Sequence, residues 1–199
     1  MTAVEICGGI AYGKTTLATL LVRLGFAASL EDFQKNPFFE SFYKNPQEYA
    51  FETEVTFTLQ HYHQIKIHNG RVLKFACDFS PYLDMAYSLV TLSGSKLHAY
   101  KQIYREIRGE IGAPDLLIRL DCAPDIALDR IRRRGRPAEA GIKESYLVDL
   151  DSAIDEVISS AELGTRVIRI RSDVLHFESG AADKRQVLET IAQALARPS

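Results

Sequence analysis

Gly8-Gly9-Ile10-Ala11-Tyr12-Gly13-Lys14-Thr15 spells G-x-x-x-x-G-K-[ST], a phosphate-binding pattern. The apolar run Val4 to Cys7 before it reads as a buried strand, and Thr15 to Leu24 after it keeps apolar residues at helical spacing until Gly25. Strand, glycine loop and helix form the context that the pattern needs. Glycines let successive backbone N–H groups turn inward around phosphate oxygens, and the new helix adds its positive end. Lys14 supplies a point charge to the outer phosphates, and Thr15 a hydroxyl ligand for Mg²⁺. The rival reading is a tight turn that happens to contain Lys-Thr. With Gly at about 7% of residues, a chance match in a chain this long is roughly a one-in-a-hundred event, and the flanking elements make it rarer.

The remainder of the chain bounds the setting. Its 199 residues suit a single domain, 1–199, able to bury a proper core without staples. A hydrophobic share of 46% and a charged share of 25% argue against disorder and against a fibrous architecture. A formal net charge of -2 argues against nucleic acid as a partner. No run approaches a membrane span and no basic-then-apolar leader opens the chain, so a cytoplasmic location with no membrane contact is expected. Cys7, Cys77 and Cys122 are odd in number and widely spaced, which supports neither a disulfide framework nor a metal pattern.

Taken in order, Phe26 to Leu30 predicts a second strand with Glu31-Asp32 at its carboxyl end, where open parallel sheets put their chemistry. A short aromatic helix is expected between Asn36-Pro37 and Asn45-Pro46. Pro46 then opens a long helix to about His68, stopped by Asn69-Gly70. On it Glu54 and His61 sit two turns apart on a largely apolar stripe, and Val55, Leu59 and Tyr62 share a neighbouring face. Arg71 to Cys77 is a third strand that delivers Asp78 to the same sheet edge. Helices around Leu83–Leu92 and Lys96–Gly109, a fourth strand at Asp115–Asp121, and a helix from Pro124 that carries the basic run Arg130 to Arg136 follow. A helix over about Lys143–Ala161, a fifth strand at Arg166–Ile170 and an amphipathic helix over Asp183–Ala196 close the chain. Strands separated by helices imply right-handed crossovers and a parallel sheet covered on both faces. The basic run admits three readings: a nucleic-acid or targeting patch, a solvated helix face, or a lid whose guanidinium groups close over phosphates.

These residues resemble the deoxyribonucleoside kinases, specifically their bacterial deoxyadenosine and deoxyguanosine kinase-like members, over nearly the whole chain. The resemblance rests on Gly13-Lys14-Thr15-Thr16, on Glu31 shortly before Asn36-Pro37-Phe38, and on Phe42-Tyr43-Lys44-Asn45-Pro46. It rests also on Arg134-Gly135-Arg136 with Glu139, Gly141-Ile142 and Tyr146-Leu147 behind it. It implies a P-loop kinase fold of the α/β class, a five-stranded parallel sheet ordered 2-3-1-4-5 with helices on both faces and an arginine-rich lid at about 130–142. It implies ATP- and Mg²⁺-dependent phosphorylation of a deoxyribonucleoside at its 5′-hydroxyl, with Gly8 to Thr16 on the nucleotide and Thr15 and Asp78 on the metal. Glu31 matches the carboxylate that accepts the hydroxyl proton; a surface acid beside Asp32 is the rival. Tyr43 and Glu139 match the pair that bonds the sugar 3′-hydroxyl, and Tyr146 is a further substrate-binding candidate; an aromatic core position is the alternative for Tyr43, and a helix-surface acid and a half-buried ring are the alternatives for Glu139 and Tyr146. Arg130, Arg134 and Arg136 match the lid arginines. Members often form homodimers, for which Val55, Leu59 and Tyr62 could serve, although an intramolecular contact explains that stripe equally well.

The departures are informative. Many members carry glutamine at Glu54, which reads the base edge, and arginine at His61; some bacterial relatives have glutamate at the former. An ionised carboxylate only accepts, so it suits guanine, with two adjacent donors, better than adenine or cytosine. A Glu54–His61 pair that satisfies itself is the competing reading. Phe79 replaces an arginine after Asp78, and Asp84, a base-side acid in many members, lacks its usual arginine partner, so that an ordinary exposed aspartate is an equal reading. Ala11 and Tyr12 replace Gly-Ser in the loop; if Ala11 needs φ > 0, its Cβ costs about 1 kcal/mol or more. The expected activity is thus a deoxynucleoside kinase acting on a purine, deoxyguanosine first. A nucleoside monophosphate or other small-metabolite kinase, and a catalytically weak nucleotide-binding module, stand as alternatives.

Overall fold

The computed structural model describes residues 1–160 and 165–196. Five strands, β1 (Thr2–Cys7), β2 (Ala27–Ser29), β3 (Lys74–Cys77), β4 (Leu116–Asp121) and β5 (Val167–Arg171), lie in the order β2-β3-β1-β4-β5, as expected. Every neighbouring pair is parallel. Eight α-helices occur among the described residues: α1 (Lys14–Leu21), α2 (Phe39–Lys44), α3 (Pro46–His68), α4 (Pro81–Thr91), α5 (Gly94–Ile111), α6 (Pro124–Arg134), α7 (Glu144–Ser159) and α8 (Ala181–Ala196). None is long and apolar enough to cross a membrane.

Local chemistry places the boundaries. Proline occupies the first turn of α3, α4 and α6, where its missing N–H is no loss. The first helix is shorter than its apolar spacing suggested, because Val22–Leu24 tightens into a 3-10 turn before Gly25. The aromatic stretch after Glu31 splits into a 3-10 turn, Phe33–Lys35, and the short α2. Helix α6 carries Arg130 to Arg134 only: Gly135 adopts φ 67 and turns the chain out, so Arg136 lies beyond the helix. The expected end of the α7 segment at Ala161 lies outside the described residues.

Alternation along the buried strands sorts the core into two layers. Val4, Ile6, Ile118 and Leu120 face α1, α6 and α8, through Leu17, Ile131 and Ile191. Cys7 and Leu117 face α4, α5 and α7, through Tyr82, Tyr100 and Ile154. Val55 joins this second layer and the Tyr62 hydroxyl donates to Glu110 of α5, so of the expected α3 stripe Leu59 is the exposed member, at 48%. All three cysteines are free and buried.

One cation breaks the apolar pattern. Arg119, in mid-β4 and 2% exposed, donates to Asp151 of α7 at 2.7 Å and to Asp155 at 3.2 Å. Its charge survives burial because α7 brings these acids to it. Arg119→Met should lower stability by about 2–3 kcal/mol, less than a fully buried pair because both aspartates keep partial access to water. A drop in the urea midpoint at constant slope checks this.

Candidate active site

The register of the sheet assembles the site. Ser29 lies beside Cys77 and Cys77 beside Glu5, so the residues just past β1, β2 and β3 emerge together at the carboxyl edge. They open into a cleft of about 570 Å³. Its walls include the loop from Ile10 to Thr16, Glu31, Tyr43, Glu54, His61, Asp78, Asp84, Arg130, Arg134, Arg136, Glu139 and Tyr146. The structure thus brings the expected site residues to one place, with Gly8 and Gly9 forming the buried start of the loop.

In the loop, Gly13 takes φ 93 and leads into α1. Ala11 takes φ 64, the one non-glycine residue with positive φ among the described residues, so the expected strain at this position is present. Tyr12 points away from the phosphate side. Its ring is fully buried under Gly9, where a Cβ would come within 2.8 Å of it, and its hydroxyl donates to Asp151 Oδ2 at 2.5 Å. Lys14 Nζ donates to the Gly8 and Gly9 carbonyls, each at 2.8 Å.

Asp78 ties the loop to the segment after β2 that carries Glu31. Its Oδ2 accepts from Thr15 Oγ1 at 2.5 Å and its Oδ1 from the Glu31 N–H at 2.6 Å. Burial pushes the Asp78 carboxyl up, against the hydrogen bonds from Thr15 and Glu31. At Glu31 burial also acts upward, but the His61 ring, Lys14 and Arg136 outweigh it and hold the carboxyl below its usual range. Hydroxyl and carboxylate oxygens at Thr15 and Asp78 form a hard donor set that suits Mg²⁺.

His61 does not pair with Glu54. Its Nδ1 lies 2.9 Å from Asp84 Oδ1 and its Nε2 lies 3.3 Å from Glu31 Oε1. Phe79 stacks on the ring at 4.2 Å between centroids and 6° between planes. Asp84 therefore has a partner, and it is buried rather than an exposed acid. Glu54 accepts from the Thr91 hydroxyl at 3.2 Å. Burial and the like charge of Asp84 raise its carboxyl to about 8, so near neutral pH it stands close to its own midpoint.

The arginines of the basic segment are engaged within the protein. Arg134 and Arg136 both donate to Glu139, which is buried, and Arg136 also lies 4.0 Å over the Phe33 ring. Arg130 is fastened to the Ser172 carbonyl at 2.6 Å and approaches the Ala11 carbonyl at 3.4 Å. Tyr43 packs edge-on against Phe39 and Phe42, its hydroxyl pushed up by burial and by Glu139. Further lining residues that were not offered as site residues from the sequence include Phe33, Thr53, Tyr87, Arg133 and Glu178. Arg133 stood inside the basic run and Tyr87 one helical turn after Asp84; nothing local marked Glu178.

Known proteins resemble this chain in sequence and in fold. Residues 4–196 match the family model described as deoxynucleoside kinase. The deoxyguanosine kinase of Bacillus subtilis is 33% identical over 164 residues, 80% of this chain and 79% of that one. The deoxyadenosine kinase of Dictyostelium discoideum is 27% identical over 175 residues, 85% of this chain and 71% of its own. The structure of a deoxyadenosine kinase from M. mycoides with bound dCTP superposes with a TM-score of 0.80 at 20% identity, covering 97% of this chain and 100% of that one. This likeness supports the P-loop kinase fold.

The buried Tyr12 ring makes a test. Tyr12→Phe should cost about 1 kcal/mol through the lost bond to Asp151, and Tyr12→Ser about 3–5 kcal/mol through the emptied ring volume. Calorimetric titration of the Phe variant with nucleotide should give wild-type affinity within about twofold, since the hydroxyl faces α7.

Proposed function

The chain belongs to the deoxynucleoside kinase family, and on that premise we propose that it transfers the γ-phosphoryl group of ATP to the 5′-hydroxyl of a purine deoxyribonucleoside, deoxyguanosine first where Glu54 is ionised. The observation that carries this reading is the chain of contacts Thr15–Asp78–Glu31, which joins the phosphate loop to a carboxylate across the cleft. Phosphoryl transfer asks mainly for positioning and electrostatic stabilisation. Glu31 takes the proton of the acceptor hydroxyl as that oxygen attacks the γ-phosphorus and the bond to the β-phosphate oxygen breaks. Lys14 leaves the loop carbonyls for the outer phosphates, since a charged acceptor holds an ammonium more strongly than a carbonyl does. Arg130, Arg134 and Arg136 gather round the transferring group. Thr15 and Asp78 would hold Mg²⁺, which when bound supplies further positive charge at the outer phosphates.

The acceptor end favours an uncharged nucleoside over a nucleoside monophosphate. Glu54, Asp84 and Glu139 line it, and Glu139 already engages Arg134 and Arg136. In this reading Tyr43 and Glu139 bond the sugar 3′-hydroxyl, while Tyr146 closes that wall. Glu54 reads the base: ionised, it accepts from both guanine donors; protonated, it donates to adenine N1 and accepts from the adenine amino group.

Nucleoside-dependent ADP release tests the assignment. Lys14→Ala and Glu31→Gln should each reduce kcat by about 100-fold or more, and full activity in Glu31→Gln would remove the proposed base. The base preference carries a pH signature. The Glu54 carboxyl, raised to about 8, ionises as pH climbs through that value, so kcat/KM for deoxyguanosine relative to deoxyadenosine should rise between pH 7 and 9. In Glu54→Gln the ratio should become independent of pH and move toward deoxyadenosine.

A further inference from the structure

His61 is the most constrained polar group in the cleft and the scheme above gives it no task. Its ring is 3% exposed and held between Phe79 and Phe57, whose centroids lie 4.2 and 5.8 Å away. Both nitrogens lie close to carboxyl oxygens. Nδ1 lies 2.9 and 3.0 Å from the two Asp84 oxygens, and Nε2, buried and without a hydrogen-bond partner among the described residues, lies at ion-pair distance, 3.3 Å, from Glu31 Oε1. A neutral imidazole carries one N–H and could serve only one of these acids; an imidazolium serves both.

Resting on the reading of Glu31 as the base, we propose that His61 is its positioning residue, a cationic clamp braced by Asp84 and two aromatic rings that holds Glu31 Oε1 and leaves Oε2 for the acceptor hydroxyl. Neither Glu31 carboxylate oxygen accepts a hydrogen bond from the described residues, and Oε1 is the one at ion-pair distance from the ring. In the transfer step the hydroxyl proton passes to that oxygen, and His61 keeps both of its own. The surroundings favour the charged ring. Asp84 on α4 and Glu31 after β2 lie closest to it, Glu54 on its own helix and Glu5 on β1 are further acids nearby, and Lys14 is a second cation acting on Glu31. Burial would strip the proton, but Asp84 and Glu31 prevail and raise the ring to about 10. Because the rings prevent rotation, the clamp fixes direction as well as distance, and small misplacements of a catalytic group are costly.

Two amides separate this task from a packing role. Glutamine carries its amide where Nε2 stands and can reach Glu31; asparagine reaches only as far as Nδ1 and Asp84. His61→Gln should keep kcat within about tenfold of wild type, while His61→Asn and His61→Phe should each lose about 100-fold, all with the KM for ATP unchanged within about threefold. A packing role predicts the reverse ranking, with phenylalanine, which completes the stack, the least affected; that ranking, or wild-type kcat in His61→Asn, overturns the proposal. Glu31→Gln is assayed alongside: activity there removes the base itself, whereas an inactive Glu31→Gln beside a fully active His61→Asn removes only the clamp. The wild-type protein gives an answer that needs no variant to fold. Two-bond ¹H–¹⁵N correlations of the His61 ring at pH 7.5 should show both nitrogens protonated, and a neutral ring overturns the proposal whatever the kinetics.

Discussion

Everything in the site hangs on one carboxylate used in two directions. Asp78 takes the Thr15 hydroxyl on one oxygen and the Glu31 N–H on the other. It can do so because it is the first residue past β3, and β3 lies between β1 and β2 in a parallel register. The loop after β1 and the turn after β2 therefore emerge on either side of it. Charge-assisted hydrogen bonds are stronger than neutral ones, so this link holds two segments that share no covalent neighbourhood. The sheet topology sets this juxtaposition: another strand order would place the glycine loop and Glu31 farther apart along the carboxyl edge.

That convergence gathers acids. Glu31, Glu54, Asp78, Asp84 and Glu139 all line one cleft, and each pays a desolvation penalty that a cation must offset. The answers differ. Glu139 takes Arg134 and Arg136, Asp84 takes His61, and Glu54, whose hydrogen bond comes from the neutral Thr91 hydroxyl, has its ionisation driven upward. Groups pushed toward different protonation states by environment alone mark a place organised for function over stability. The apolar layers on either face of the sheet, through Leu17 and Ile191 on one side and Tyr100 and Ile154 on the other, carry the stability.

The sequence made the scaffold legible because punctuation is local. Pro46 and Asn69-Gly70 bracket α3 at the bounds observed, and strands separated by helices leave few topologies once crossovers must be right-handed. Glu31 and Asp78 could be placed because each follows a strand directly. What stayed hidden depends on contacts between distant residues. Asp84 reads as missing its usual arginine, with His61 in that place; that the histidine itself takes the aspartate follows only from the packing of α3 on α4, which brings together residues 23 positions apart. Phe79 read as a lost arginine and not as the face on which His61 rests. Tyr12 and Asp151, 139 residues apart, share a bond that no periodicity announces. The helix end at Gly135 was legible in principle, because glycine after a basic turn is a common stop.

The loop itself shows how a local rule can be broken safely. An alanine at φ 64 costs about 1 kcal/mol or more relative to a residue without Cβ, and nothing inside the loop returns that cost. The compensation comes from the next residue. Tyr12 drives its ring beneath Gly9 into the core and bonds Asp151, which is held in turn by Arg119. Gly9 is thus required by the ring below it, and Ala11 is kept in its strained turn by the residue that follows. The shape of the loop is imposed from α7, the helix whose first turns present Tyr146 to the acceptor wall. Phosphate loop and acceptor wall are thereby two ends of one braced unit, and a strain that would relax in an isolated turn is sustained by the tertiary tie.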